Sequence, residues 1–173
     1  LADSKTPQGI VAEILLEQPV LPYQLQGRYL YLEDVQDPGN VGTMIRTADA
    51  AGFAGVMLSK ASADLYSLKT LRSMQGSHFH LPIWKMDREE LFERASQSNL
   101  AVLATTLSEA SIDYRQLPQI DQFILVMGNE GKGISPEMAT RANQLVHITM
   151  PGRAESLNVA VAAGILMFHL RNF

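Results

Sequence analysis

The chain contains 173 residues with no cysteine and a formal net charge of −4 at pH 7. This length fits one domain, and the absence of cysteine excludes a disulfide framework and a cysteine-based zinc site. No apolar run reaches the roughly 18–20 residues of a membrane span, and the first residues lack the order of a signal peptide. We therefore expect a cytoplasmic protein. The negative charge argues mildly against a self-sufficient nucleic-acid binder, which usually carries a positive excess.

Short apolar runs alternate with longer segments of helical period, a pattern typical of an α/β domain with a mostly parallel sheet. Six strands are predicted, at residues 28–35, 55–59, 81–85, 100–105, 122–127 and 145–150. Helices are predicted at residues 9–17, 41–51, 67–75, 88–97, 136–143 and 157–172. Two of these helices have clear start signals, because Asp87 and Glu90 form a capping box and Ser135 precedes Pro136.

Three polar loops that contain glycine follow predicted strands, where open α/β sheets bind their ligands. The first loop, residues 33–42, leads into the helix that carries Arg46. From the residues alone, Asn40 either caps this helix or belongs to a site. Arg46 likewise either pairs with Asp49 three residues later or contacts a ligand.

The second loop, residues 127–135, contains three glycines after an apolar strand, and glycine allows a backbone to approach a ligand closely. A phosphate-binding P-loop is excluded, because Ile134 and Ser135 follow the last glycine where lysine is required. A dinucleotide fingerprint fails as well, since Pro136 stands in place of its third glycine. The loop either turns the chain into a capped helix or binds another kind of ligand.

The third loop, residues 148–158, leads into an apolar helix rich in small residues, which suits burial on several sides or packing against another subunit. Ser156 and Asn158 either cap that helix or belong to a site. The three loops offer Asn, Arg, Glu and Ser but no Cys or His nucleophile. Together they predict one composite pocket.

The motifs of the three loops resemble, in order and spacing, those of the SpoU (TrmH-like) RNA methyltransferases: Asn40-x-Gly42-x3-Arg46-x-Ala48, Gly128-Asn129-Glu130-Gly131-x-Gly133 and Glu155-Ser156-Leu157-Asn158-Val159. Residues 7–12 also resemble the segment that joins the RNA-binding N-terminal domain of this family to its catalytic domain. The start at Leu1 rather than Met favours a truncated protein. We expect residues 1–26 to be the end of that linker and residues 27–173 to be the methyltransferase domain.

The resemblance implies an α/β domain with a C-terminal trefoil knot, an exception to the rule that chains avoid knots. It implies S-adenosylmethionine as the cofactor, bound in the knot, and no metal. By position, the residues implied to bind the cofactor are Thr105, Thr106, Gly128, Asn129, Gly133, Ile148, Met150, Ser156 and Leu157.

The implied reaction methylates a ribose 2'-hydroxyl of structured RNA, and the linker-like N-terminus favours ribosomal RNA over transfer RNA. The implied catalytic residues are Asn40, Arg46, Glu130, Ser156 and Asn158. A guanidinium with a pKa above about 12 is a poor general base, so we expect Arg46 to bind a phosphate and orient the hydroxyl. Glu130 either acts as a base or holds Arg46 or Asn40.

The resemblance also implies RNA and a second copy of the chain as partners, with no membrane. A local basic patch is expected near the site, at Arg46, Lys132, Arg141 and Arg153. Leu166, Met167 and Phe168 belong either to the dimer interface or to the core.

Three further functions stay open at this point. They are an inactive relative that binds RNA without methylating it, a transfer-RNA methyltransferase, and a nucleotide-dependent α/β enzyme. A metal site at His78 and His80 is disfavoured, because no third ligand is in view.

Overall fold

A computed structural model describes residues 13, 15 and 19–171 of the chain. Its centre is one sheet in which every pair of neighbouring strands is parallel. The strands are β1 (Arg28–Leu32), β2 (Gly55–Leu58), β3 (Ile83–Lys85), β4 (Ala101–Thr105), β5 (Ile112–Asp113), β6 (Phe123–Met127) and β7 (Gln144–His147), in the order β3-β2-β1-β6-β4-β7-β5. The predicted α/β class and parallel sheet are confirmed.

Helices connect these strands, and most begin at a side chain that accepts a hydrogen bond from the first turn. Asp87 Oδ1 accepts from the Glu90 amide at 3.0 Å, and Ser135 Oγ accepts from the Met138 amide at 3.1 Å. These contacts confirm the predicted starts of the third and fourth α-helices. The α-helices of the described residues are α1 (Pro38–Ala50), α2 (Leu68–Met74), α3 (Arg88–Gln97), α4 (Pro136–Arg141) and α5 (Val159–Leu170).

The helices cover both faces of the sheet, because successive side chains of a strand point to opposite faces. In β1, Leu30 and Leu32 belong to a core that includes residues of α1 and α5, whereas Tyr29 and Tyr31 belong to a second core with residues of α3. Strands covered on both faces must be apolar throughout, which explains the uninterrupted apolar runs in the sequence. The result is a three-layer arrangement with the sheet in the middle.

Helices α1 and α2 pack most closely at Gly42, the second residue of the first motif. A Cβ atom at this position would lie 2.6 Å from the Thr70 carbonyl oxygen and 2.6 Å from the Ser73 Cβ. Only glycine fits this approach. Packing between two helices therefore accounts for this motif residue without any ligand.

The described sheet has seven strands, against the six predicted. The additional strand, β5, is two residues long and too short to show the alternation that reveals a strand in a sequence. Strand β1 ends at Leu32 rather than at residue 35, because Asp34 adopts a left-handed conformation with φ of 57°.

Helix boundaries also differ from those predicted. Helix α1 begins at Pro38 rather than at residue 41, because Asp37 and not Asn40 is its cap. Helix α5 begins at Val159 rather than at residue 157, since Asn158 is its cap. The helix predicted at residues 9–17 lies almost wholly outside the described residues, and the trefoil knot stays a prediction. None of the helices in the described part of the chain combines the length and the apolar character needed to cross a bilayer.

Candidate active site

A cleft opens where β4, β6 and β7 end, at the edge of the sheet where parallel α/β domains bind ligands. It encloses about 780 Å³ of space, including its open mouth. Its walls include all nine residues implied to bind the cofactor: Thr105, Thr106, Gly128, Asn129, Gly133, Ile148, Met150, Ser156 and Leu157. Their placement agrees with a shared site, and their role stays a prediction.

Other residues that line the cleft were not among the site residues that the resemblance implied. Val159, Ala162 and Leu166 line it from one face of α5, and their spacing of three and four residues is the signal of a shared helix face. The spacing can be found in the sequence, but it indicates an apolar wall of the cleft only when the position of α5 beside the cleft is known. The remaining unpredicted lining residues are Leu107, Met127, Val146, His147 and Glu155.

The second loop is held in a narrow turn by its own backbone and by Asn129. The amide of Asn129 donates to the Gly133 carbonyl at 3.0 Å, and the amide of Gly133 donates back at 2.9 Å. The Asn129 side chain accepts hydrogen bonds from two amides inside the turn and donates one to the Asp34 carbonyl at 2.8 Å. A Cβ on Gly128 would lie 2.3 Å from the Gly133 carbonyl carbon, so the turn closes only over glycine.

Glu33, the residue after β1, fixes the far end of the second loop. Its side chain is only 2% exposed. Its carboxylate accepts from the Ser135 amide at 2.9 Å, from the Ser135 hydroxyl at 2.8 Å and from Arg88 Nε at 2.8 Å. Buried charge is tolerated when it is paired and hydrogen-bonded in this way. Sequence reasoning missed this residue, because a carboxylate at a strand end looks the same whether it binds a ligand or an adjacent loop.

Glu130 connects all three loops at the rim of the cleft. Its carboxylate accepts from the Asn40 side chain at 3.1 Å and from the backbone amides of Gln36 and Asp37 at 3.2 and 3.0 Å. The Asn158 side chain in turn donates to Asn40 Oδ1 at 3.1 Å. The structure therefore brings together three of the predicted catalytic residues, one from each loop.

The surroundings of Glu130 keep it ionised. Partial burial alone would raise the pKa of this carboxyl, but the hydrogen bonds from Asn40 and from backbone amides outweigh that effect and leave the pKa below its ordinary value. A carboxylate stabilised in this manner is a weaker base than an ordinary one. Of the two roles left open by the sequence, the contacts favour holding Asn40 over accepting a proton.

The Asn40 side chain has two hydrogen-bond partners and the Asn158 side chain has three. Asn158 caps α5, since its Oδ1 accepts from the amides of Ala160 and Val161 at 2.9 and 3.3 Å. Its amide nitrogen reaches Asn40 at the same time. Asn158 therefore caps α5 and contacts Asn40 at the same time, so the two possibilities left open by the sequence do not exclude each other.

Arg46 lies apart from the other predicted catalytic residues. It is exposed on α1, does not line the cleft and makes no hydrogen bond or ion pair with another described residue. Asp49, its possible partner, lies instead 3.3 Å from His80 Nδ1. The guanidinium of Arg46 is thus available to a ligand from outside the described chain.

Three of the four residues expected in a basic patch are exposed without an ion pair in the described structure, namely Arg46, Lys132 and Arg153. Arg141 does not fit the expectation, because its Nη1 contacts Glu89 at 2.5 Å and Glu137 at 3.1 Å. Its guanidinium also lies over the Phe92 ring, 4.0 Å from the centroid. Arg141 therefore joins α3 to α4 and does not contribute a free charge.

A metal centre finds no support in the described residues, where no three His, Asp or Glu side chains are grouped as ligands. His78 stacks on Phe79 with ring centroids 4.0 Å apart.

The sequence profile described as the SpoU rRNA Methylase family matches residues 27–168. The chain belongs to this family. A relative from Bacillus subtilis (strain 168), named 23S rRNA (guanosine(2553)-2'-O)-methyltransferase RlmP, is 40% identical over 171 residues, covering 99% of this chain and 68% of the relative.

Solved structures of the SpoU family share the fold. An AdoMet-bound rRNA methyltransferase from Sinorhizobium meliloti superposes with a TM-score of 0.83 at 40% identity, covering 90% of this chain and 62% of that one. The SpoU methyltransferase AviRb from Streptomyces viridochromogenes, in complex with AdoMet, gives 0.77 at 30% identity, covering 90% and 59%. The chain thus spans about three fifths of each of these two proteins.

Proposed function

We propose that this chain is the catalytic domain of an enzyme that transfers a methyl group from S-adenosylmethionine to a ribose 2'-hydroxyl of ribosomal RNA. The observation that carries the proposal is the single cleft, which collects all nine implied cofactor residues from the end of β4, the second loop and the third loop. Relatives named as RNA methyltransferases, and neighbours solved with AdoMet, support the same activity.

The cleft suits a ligand with an apolar body and several polar edges. Leu107, Ile148 and Leu166 supply apolar walls, while the backbones of the second and third loops supply amides and carbonyls. S-adenosylmethionine, when bound, supplies an electrophilic methyl group on a positively charged sulfur. The ribose 2'-oxygen would take this methyl group from the sulfur, and the hydroxyl proton would pass to solvent or to a neighbouring RNA phosphate.

Residues of the cleft and Arg46 on α1 are proposed to position the RNA. Arg46 binds a backbone phosphate, because its exposed guanidinium lacks a partner in the described chain and cannot serve as a base. The exposed hydroxyl of Ser156 lies on the cleft wall and can contact the ribose. Glu130 fixes Asn40 and the first loop, so the two reactants meet in one geometry, and such positioning supplies much of the rate enhancement.

We also propose a homodimer and a cytoplasmic location. The dimer is supported by one face of α5, where Val161 and Phe168, seven residues apart, are 52% and 39% exposed. Of the three residues expected either in the interface or in the core, Leu166 and Met167 are buried in the core. Only Phe168 is exposed and available to an interface. Exposed Leu157 extends the same apolar surface towards the cleft.

Titration calorimetry with S-adenosylmethionine and S-adenosylhomocysteine tests the cofactor, with ATP and NAD as controls. We expect saturable binding of the first two ligands only. Binding of ATP or NAD instead would support a nucleotide-dependent enzyme and contradict the proposal.

Methyl transfer by the full-length protein tests the substrate. Tritiated S-adenosylmethionine is offered with ribosomal RNA and, separately, with transfer RNA. We expect the methyl group to appear in ribosomal RNA. Methylation of transfer RNA alone would show that transfer RNA is the substrate instead. Cofactor binding without methylation of either RNA would favour an inactive relative.

Arg46→Ala separates RNA positioning from cofactor binding. We expect methyl transfer to fall at least about 100-fold, the scale of a lost positioning contact, while the Kd for S-adenosylmethionine changes less than about twofold. Arg94→Ala is the matched control, because it removes an arginine from α3. The buried residues of α3 belong to the core on the opposite face of the sheet from α1. Full turnover by Arg46→Ala would remove this residue from the mechanism.

A further inference from the structure

The third loop is fixed at its start by a residue that does not line the cleft. Thr149 lies between Ile148 and Met150, which both do. Its amide donates to Asp113 Oδ2 at 3.2 Å, and its hydroxyl donates to the same oxygen. The backbone on either side of Thr149 is thereby held in one orientation relative to the cleft.

Asp113, on β5, is itself held in place by burial and by hydrogen bonds from Arg115. Its side chain is 9% exposed, and Oδ1 and Oδ2 also accept from the Arg115 guanidinium at 2.7 and 3.0 Å. The hydrogen bonds from Arg115 and then from Thr149 hold the pKa of Asp113 far below its ordinary value, so the carboxylate is charged at neutral pH. Charge-assisted hydrogen bonds of this kind are stronger than neutral ones.

The same edge strand also supports the preceding cleft residue. His147 lines the cleft, its Nδ1 lies 2.9 Å from Ser111 Oγ, and its Nε2 lies 3.4 Å from Thr149 Oγ1. Residues 111 and 113 therefore hold the chain on both sides of Ile148. Within the described structure, the hydrogen bonds at the start of the third loop are those with Asp113 and His147.

Beyond Thr149 the third loop is free of such contacts. Residues 150–157 make no hydrogen bond with any described residue, and the next fixed point is the Asn158 cap. The position of the loop backbone over the cleft thus depends on Thr149 at one end and Asn158 at the other.

We infer that Asp113 and Thr149 are positioning residues that set the affinity for S-adenosylmethionine without touching it. The inference rests on the proposed function and adds two residues outside the family motifs. Because the pair holds backbone already facing the cleft, a ligand that binds there does not have to order it, and preorganisation of this kind increases affinity.

The experiment compares Thr149→Val with Thr149→Ser by calorimetry, using S-adenosylmethionine and S-adenosylhomocysteine. Valine has nearly the shape of threonine but cannot donate to Asp113, whereas serine keeps the hydroxyl. We expect Thr149→Val to weaken both ligands roughly tenfold, the scale of one charge-assisted hydrogen bond. Thr149→Ser should stay within about twofold of the wild type.

Thr140→Val is the matched control, because Thr140 is also exposed and does not line the cleft. Its hydroxyl donates to the Pro136 carbonyl at 2.8 Å. Melting temperatures without ligand are recorded for every variant. The expected pattern for Thr149→Val is lower affinity with only a small fall in melting temperature, because Asp113 keeps its pair with Arg115. Thr140→Val should show no change in affinity.

Two outcomes would overturn the inference. Equal affinities for the wild type and Thr149→Val would show that the contact does not set binding. A loss of affinity in Thr149→Val and Thr149→Ser alike, in proportion to a fall in melting temperature, would show a purely structural contact. Failure of the wild type to bind either ligand would instead refute the proposed function, and this inference with it.

Discussion

The second and third loops face each other across the cleft, and the protein holds them by different means. The second loop is fixed along its whole length, by its own backbone, by Asn129 and by buried Glu33. The third loop is fixed at Thr149 and Asn158, with residues 150–157 free of hydrogen bonds in the described structure. One wall of the cleft is thus formed before a ligand arrives, while the other has room to adjust to it.

This difference predicts where the sequence should tolerate change. In the second loop, glycine and a buried carboxylate are required by contacts made without any ligand. In the third loop, the exposed residues between its two fixed ends are required only by what they bind. Mutations that remove the internal contacts of the second loop should therefore affect both folding and binding, and mutations in the middle of the third loop should affect binding alone.

Among the substitutions that test the contrast between the two loops, Gly128→Ala is expected to have the largest effect on stability and on cofactor binding. The added Cβ would lie 2.3 Å from Gly133 and 2.4 Å from the Ile134 amide, so the backbone turn must open. We expect a destabilisation of about 3 kcal/mol or more, as in severe overpacking, and loss of measurable cofactor binding. Chemical denaturation and calorimetry measure the two effects.

Gly152→Ala is the control for that prediction, because a Cβ on this third-loop glycine meets no atom within 4 Å. Its unfolding free energy should stay within about 0.5 kcal/mol of the wild type, the usual range for a surface substitution. Equal destabilisation by the two alanines would refute the contrast between the loops.

Glu33→Gln should have the next largest effect. The substitution replaces a buried carboxylate oxygen by an amide nitrogen that cannot accept from Ser135 or Arg88, and it leaves the Arg88 charge partly unpaired. We expect a loss of about 2 kcal/mol in unfolding free energy, the scale of a buried hydrogen bond to a charged group, together with weaker cofactor binding.

Glu137→Gln provides the comparison for Glu33. Glu137 also contacts Arg88, but its side chain is 46% exposed. Exposed ion pairs contribute between zero and about 1 kcal/mol. A cost for Glu137→Gln as large as that for Glu33→Gln would show that burial does not determine the anchoring of the second loop.

The smallest effect concerns the pH dependence that Asp113 confers. Its pKa in the folded protein is lowered, chiefly by the Arg115 guanidinium and then by Thr149, so its contribution to stability is fully present above the ordinary aspartate value of 3.8. The contribution is lost as the pH falls from that value towards the folded pKa. The difference in melting temperature between the wild type and Asp113→Asn should be constant at pH 5–7 and shrink below about pH 4. A difference that grows on acidification would contradict this assignment.

The sequence predicts the layers of the fold and the three loops well, because alternating apolar runs and motif spacing are local signals. Thr105, Gly128 and Ile148 come together at one edge as a consequence of parallel strands, which an α/β pattern already implies. Strand β5 escapes prediction because two residues carry no period.

Long-range polar contacts are the part of the site that local signals cannot reveal. Glu33 contacts Ser135 across 102 positions, and Asp113 contacts Thr149 across 36. Neither carboxylate differs in its immediate sequence from a surface acid. Arg46 shows the opposite case, in which a motif residue known from its spacing lies outside the cleft that its neighbours form.

The Asn40–Glu130–Asn158 contacts also bear on how the protein is made. The hydrogen bond between Asn40 and Asn158 joins residues 118 positions apart. At a synthesis rate of about 5–20 residues per second, the first of these asparagines waits on the order of ten seconds for the second to be added. A nascent chain that stops before Asn158 therefore has all seven strands of the described sheet but only two of the three contact partners, and such an aborted translation product should be unable to modify RNA.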